Sequence, residues 1–148
     1  MFPKRQDGSR DLDPTWSHID TWKQMEALPK AKARAIGVCN YSLKYLEELL
    51  PHATVIPALN QIENHPCLPQ DEIVDFCKSH DIVITAYSPL GTTGSPLASD
   101  PDVLAVADKH GKPATTILLS YHSKSRPYQV HKVHSTAYYP THTSFHRL

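Results

Sequence analysis

No apolar run in this chain approaches the ~18 residues of a membrane helix, so no spanning segment is expected. The opening MFPKRQDGSR carries charge but has no apolar segment behind it, so no secretory signal is expected either. Cysteine is scarce: Cys39, Cys67 and Cys77 are dispersed, with no metal-site or redox spacing. An odd, scattered set of thiols suits a reducing compartment better than a disulfide framework, and a cytoplasmic protein is the expectation. Neither sign of charge is in excess, with 15 basic and 15 acidic residues. That balance gives no reason to expect nucleic acid or a membrane surface as a partner. A further absence divides the chain. Residues 123–148 contain Lys124, Arg126, Lys132 and Arg147 but no Asp or Glu, a net +4. Residues 1–122 carry 11 basic against 15 acidic residues, a net −4. Such asymmetry suggests two parts of different character.

What is present is an alternation of short apolar runs and helical patterns. Asp13-Pro14 reads as an N-cap followed by proline at the first helical position, opening a helix to about Leu28 with Ile19, Trp22 and Met25 on one side. Ala33 to Val38 reads as a strand. Ser42 caps a helix carrying Leu43, Leu46 and Leu50, which Pro51 stops. A second strand is expected over about Val55 to Leu59, with pairing from Ala58 because Pro57 lacks a donor. Asp71 and Glu72 stand in the first turn of the next helix, where negative charge suits the helix dipole, and Ile73, Phe76 and Cys77 form its stripe. The β-branched run from Ile82 to Thr85 is the third strand. A small-residue loop, Thr92 to Ser99, leads to a helix capped by Asp100-Pro101 and ended by Gly111, then to another begun by Pro113. Strand starts near 33, 55 and 82 lie 22 and 27 residues apart, the length of a βα repeat. The fold class expected is α/β, with about three parallel strands and flanking helices. Beyond His122 no period survives, and residues 123–148 read as a disordered tail.

In parallel α/β structures the ligand lies at the C-terminal ends of the strands. Polar residues gather where those ends are expected: Cys39 and Asn40, then Asn60, Gln61 and Glu63, then Tyr87 and Ser88. Carboxamides such as Asn40 and Gln61 can pair with another carboxamide, for instance that of nicotinamide. Tyr87 offers a flat face for a planar ring. The loop from Ser88 to Ser95, with Gly91 and Gly94, could aim backbone N–H groups at phosphate. The alternative is structural: Asn40 and Gln61 satisfy loop backbone, and Tyr87 caps the core.

Three segments carry a resemblance. GVCNYS, ALNQIENHP and ITAYSPLG resemble the fifth, sixth and seventh strand ends of the aldo-keto reductase family, in order and at suitable spacing. The resemblance covers about residues 1–122. It implies part of a (β/α)₈ TIM barrel and an oxidoreductase lineage that reduces aldehydes and ketones with NADPH. Carried over by residue, it implies that Asn40 and Gln61 hold the nicotinamide carboxamide and that Tyr87 stacks on the ring. Ser88 and Leu90, with Thr92, would contact the pyrophosphate. Cys39 stands where the family usually has Ser, and a thiol is a weaker donor. The family's catalytic Asp, Tyr, Lys and His lie on its first four strands, and no residue here matches any of them. The family's -PKS- segment, which binds the adenosine phosphate, has no counterpart after Tyr121-His122. The implication is a cofactor half-site with weakened NADP(H) binding and no catalytic residue of its own. A small-molecule carbonyl substrate would belong to full-length relatives. The alternative is a non-catalytic half-barrel or truncated gene product that is inactive or associates through open sheet edges, since a barrel needs eight strands and about 250 residues to close.

Other residues take plainer readings. The pairs His131/His134 and His142/His146 have chelating spacing but no helical pattern or acidic ligands around them, so no metal site is expected. His65 reads as a structural loop residue and Glu63 as a group that satisfies nearby backbone. Trp16 and Trp22 read as helix packing, and Cys67 and Cys77 as small core residues.

Overall fold

The computed structural model describes residues 3–92 and 94–125. Helix α1 spans His18–Glu26 and is followed by strand β1, Val38–Cys39. Helix α2, Leu43–Leu49, runs into a 3-10 turn over Leu50–His52, and strand β2 is Leu59–Glu63. Helix α3 spans Asp71–Ser79 and leads to strand β3, Val83–Tyr87. A 3-10 turn over Pro96–Ser99, helix α4 over Pro101–His110 and helix α5 over Ala114–Ser125 complete the order.

The strands form one parallel sheet in the order β1-β2-β3. Val38 pairs with Asn60 and Asn60 with Ile84; Cys39 pairs with Gln61 and Gln61 with Thr85. Because side chains alternate along a strand, this register sorts the sheet into two faces. Val38, Asn60, Ile62, Ile84 and Ala86 are buried on one face. There the core gathers Trp22 from α1, Leu46 and Leu49 from α2, and Val74 and Cys77 from α3. The opposite face carries Cys39, Leu59, Gln61, Glu63, Val83 and Tyr87, all exposed or half-buried, with Thr85 buried among them. A second, smaller cluster of Leu97, Val103 and Leu118 joins α4 to α5, with Leu90 and Ile117 packed against it.

Several elements depart from the sequence-based expectations. Helix α1 starts at His18, because Ser17 and Asp20 form a reciprocal capping box. Asp13 instead closes a turn, accepting from the Thr15 amide at 2.9 Å and its hydroxyl at 2.6 Å. Trp16 therefore precedes the helix and is exposed, its indole donating to Thr21 Oγ1 at 2.8 Å. Trp22 packs in the core as expected. Strand β1 shrinks to two residues, with residues 33–37 outside it. Strand β2 lies four residues later than expected, leaving Val55 and Ile56 exposed. Pro57 is buried just before it, and the ladder-like contact starts at Ala58, whose amide donates to Ile36 O at 2.8 Å. Cys77 is buried, but Cys67 is exposed and belongs to no core. The Asp100 cap and the left-handed Gly111 terminus of α4 stand where expected. The sequence pattern starts the tail at residue 123, but α5 continues to Ser125; the rest of the tail, from 126 onward and with its histidine pairs, lies outside the described residues.

Candidate functional site

The C-terminal ends of β1 and β3 meet through side chains. Tyr87, the last residue of β3, donates its hydroxyl to Asn40 Oδ1 at 3.0 Å. Asn40 follows β1 directly and has φ 58°, left-handed backbone that Asn tolerates better than most residues. Its amide donates to Gln61 O at 2.9 Å, fixing it to β2. The hydroxyl bond engages only the oxygen of the Asn40 carboxamide. Among the described residues the Asn40 Nδ2 donor and the whole Gln61 carboxamide have no hydrogen-bond partner. Cys39 lies exposed beside them on the same side of the sheet as Gln61.

Electrostatics favour a neutral phenol. Burial pushes the Tyr87 hydroxyl above its ordinary pKa, and the neighbouring Glu63 carboxylate and Cys39 push the same way. Glu63 pairs with Tyr87 in the sheet register, and its Oε1 stands 3.6 Å from His65 Nε2. Its carboxylate therefore faces an imidazole rather than loop backbone, a change from the sequence reading. The Glu63 carbonyl accepts from the Gln70 side chain. His65 sits in the turn after β2, where its backbone exchanges hydrogen bonds with Leu68, in keeping with a structural role.

The loop after β3 is shaped by two turns. The Gly91 amide donates to Ser88 O at 2.8 Å and the Ser95 amide to Thr92 O at 2.9 Å. Ser88 is left-handed at φ 49°. Gly91 has φ 80°, and a Cβ there would stand 2.1 Å from Ser95 Oγ, so both backbone and space require glycine. Leu90 anchors the loop by packing on the Leu97 and Leu118 cluster, while Thr92 is exposed. The Leu90 and Thr92 amides find no acceptor among the described residues. Two unengaged amide donors on a loop held in place are chemically suited to an anion.

One residue grouped with the site by sequence belongs elsewhere. Asn60 faces the helices, not the open sheet face, and is fully buried. Its Oδ1 accepts from the Tyr41 amide at 3.3 Å, and its Nδ2 donates to Tyr41 O at 2.9 Å. Placing β2 at 59–63 would have revealed this, since Asn60 and Ile62 then share a parity opposite to Gln61 and Glu63. The Tyr87–Asn40 bond had no sequence signal, because 47 residues separate its partners. A shallow groove of about 250 Å³ runs from Ala35 to Cys39 and past Ala58, Leu59 and Gln61 on the open face. Among the described residues no cluster of His, Cys, Asp or Glu could hold a metal ion, and no helix is long and apolar enough to cross a membrane.

Comparison with known proteins gives this arrangement its lineage. Residues 9–137 match the profile of the Aldo/keto reductase family. The chain belongs to that family. It is 64% identical over 122 residues to a D-galacturonate reductase of Hypocrea jecorina, covering 82% of this chain and 40% of that protein. It is 46% identical over 124 residues to a glycerol 2-dehydrogenase (NADP(+)) of Saccharomyces cerevisiae, with 81% and 40% covered. Among solved structures, an aldo-keto reductase complexed with NADPH superposes at TM-score 0.74 and 32% identity, covering 85% of this chain and 42% of that one. An aldo/keto reductase from Brucella melitensis superposes at TM-score 0.72 and 36% identity, covering 84% and 48%. The chain thus spans about 40% of the length of the curated relatives it matches. Its three-stranded parallel sheet and five helices form part of the aldo-keto reductase barrel.

Proposed function

We propose that this chain is the nicotinamide-holding wall of an NADP(H)-dependent carbonyl reductase. The observation that carries the reading is that Tyr87, Asn40 and Gln61 are tied together at one sheet end, the first two through side chains and the last two through backbone. Tyr87 holds Asn40 at 3.0 Å, and Asn40 is tied to Gln61 at 2.9 Å, leaving carboxamide donors and an acceptor unengaged. Asn40 and Gln61 would hold the cofactor carboxamide, which needs both a donor and an acceptor. Tyr87 would carry the ring on its face. Ser88, Leu90 and Thr92 would hold the pyrophosphate through the loop. A bound reduced nicotinamide supplies hydride to a carbonyl carbon. Cys39 offers a thiol in place of a hydroxyl, so its hold on the carboxamide is weaker.

The same reading assigns the chain no proton donor of its own. General acid catalysis is worth roughly 10²–10⁴-fold, and none of its residues matches the family's Asp, Tyr, Lys and His. The barrel unit takes in residues 1–122 and the remainder of α5 to Ser125, and the family match reaches residue 137. Cofactor binding by the chain alone is weak, and the outer edges of β1 and β3, unpaired among the described residues, favour self-association. A cytoplasmic setting suits the free thiols of Cys39, Cys67 and Cys77. A relative sharing 64% identity is named for D-galacturonate, so the aldehyde of a sugar acid is the substrate class proposed for a barrel containing this wall.

The test is an assay of the purified 148-residue chain with NADPH and D-galacturonate, following loss of reduced-nicotinamide absorbance. The expected result is no turnover above the uncatalysed rate. Turnover abolished by Tyr87→Ala would refute the assignment of no proton donor.

A further inference from the structure

Asn40 does its work in a left-handed conformation, and a non-glycine residue stays there only when its surroundings hold it. On one side the holding bond is that of its own amide to Gln61 O. On the other side the chain continues into Tyr41, whose amide and carbonyl are both taken by one buried side chain, Asn60, at 3.3 and 2.9 Å. The Tyr41 ring is fixed as well, standing 5.6 Å from the His18 ring and 5.9 Å from that of Tyr45. Asn60 is fully buried and faces away from the open side of the sheet, so it cannot touch a ligand there. A carboxamide at this point is explained by the two backbone groups it engages, which would otherwise be left unpaired near the core.

We propose that Asn60 is a positioning residue: by clamping both backbone groups of Tyr41 it locks Asn40 in the left-handed conformation that sets its carboxamide against the Tyr87 hydroxyl. The clamp passes through the sheet, from the helix-packed face to the open one. The functional weight of this inference rests on the nicotinamide reading of Asn40, but the geometry it asserts exists without any cofactor.

The experiment compares Asn60→Ala with Ile62→Ala in the 148-residue chain. Ile62 lies on the same strand and face and serves as a purely structural control. Amide hydrogen exchange at Tyr41 and Asn40 and the NMR shift of the Tyr87 ring are read alongside global stability in urea. Asn60→Ala is expected to speed Tyr41 exchange by about tenfold relative to the control, the size of one lost hydrogen bond. It should also move the Tyr87 ring shift to the value seen in Asn40→Ala. A Tyr87 shift unchanged from the parent chain, with stability lowered as in Ile62→Ala, would overturn the proposal. Should Asn60→Ala not fold, the unsubstituted chain still decides: Tyr41 exchange as fast as an open loop amide overturns the clamp, and protection comparable to the β2 amides supports it. Failure to bind NADPH with the Tyr87–Asn40 coupling intact would count against the functional reading alone.

Discussion

Gly37→Ala tests how closely β1 must approach β2. Gly37 does not have positive φ, so its backbone conformation is open to any residue. Space is the constraint: a Cβ there would stand 2.8 Å from Leu59 O, 2.9 Å from Leu59 Cγ and 3.1 Å from Leu59 Cδ1. The side chain can swing aside, but the carbonyl belongs to the β2 backbone, whose neighbours pair with β1 and β3. Either the strands separate or the Ile36–Ala58 bond of 2.8 Å stretches. Overpacking of this kind costs about 1–3 kcal/mol. Reduced freedom of the unfolded chain returns about 0.4–1 kcal/mol. Taking the centre of each range, the net expectation is a loss of roughly 1.3 kcal/mol, read as a lower urea midpoint with an unchanged slope. Adding Leu59→Ala removes two of the three close contacts but leaves the carbonyl, so the coupling should be favourable yet incomplete. Because Asn40 hangs from β2 by its amide, Gly37→Ala should also loosen that amide in exchange. A variant as stable as the parent, or more so, would refute the steric argument.

Other consequences follow from the packing and capping. Leu46→Ala, at a position with no exposed surface, should cost about 2–5 kcal/mol in chemical denaturation. Ser17→Ala removes half of a capping box and should cost about 1 kcal/mol, with the helicity lost from α1 visible in circular dichroism. Glu26 Oε1 accepts from the Val55 and Thr54 amides at 2.8 Å and from the Trp22 indole at 3.0 Å. The bond from the Val55 amide leads in holding its carboxyl below the ordinary value of 4.5. A depressed folded-state pKa gives stability that is present above the unfolded value and lost as pH falls through the folded one. Glu26→Gln should therefore flatten the acid limb of the stability–pH curve below about pH 4.5.

The α/β order and parallel topology were legible because the βα spacing, the Ser42 and Asp100 caps and the Gly111 terminus are local signals. Strand boundaries were less so. In ATVIPALNQIE the β-branched residues Thr54, Val55 and Ile56 precede the real strand, so intrinsic preference misplaces β2, in which Asn60 and Ile62 are buried. The same competition moved the start of α1, where the Ser17–Asp20 box outbids Asp13-Pro14. At the site, Asn40, Gln61 and Tyr87 were nameable from residue type and from their place after apolar runs. The bond between Asn40 and Tyr87, and the face to which Asn60 turns, arise only from tertiary register, which a one-residue shift inverts.

The most direct test of the central claim is an NMR titration of the 148-residue chain with NADPH, watching the side-chain amides of Asn40 and Gln61. If these strand ends form the nicotinamide wall, both resonances move together with the Tyr87 ring along one saturation curve, reached only at high cofactor concentration. Resonances of Asn40 and Gln61 that stay fixed at millimolar NADPH would contradict it.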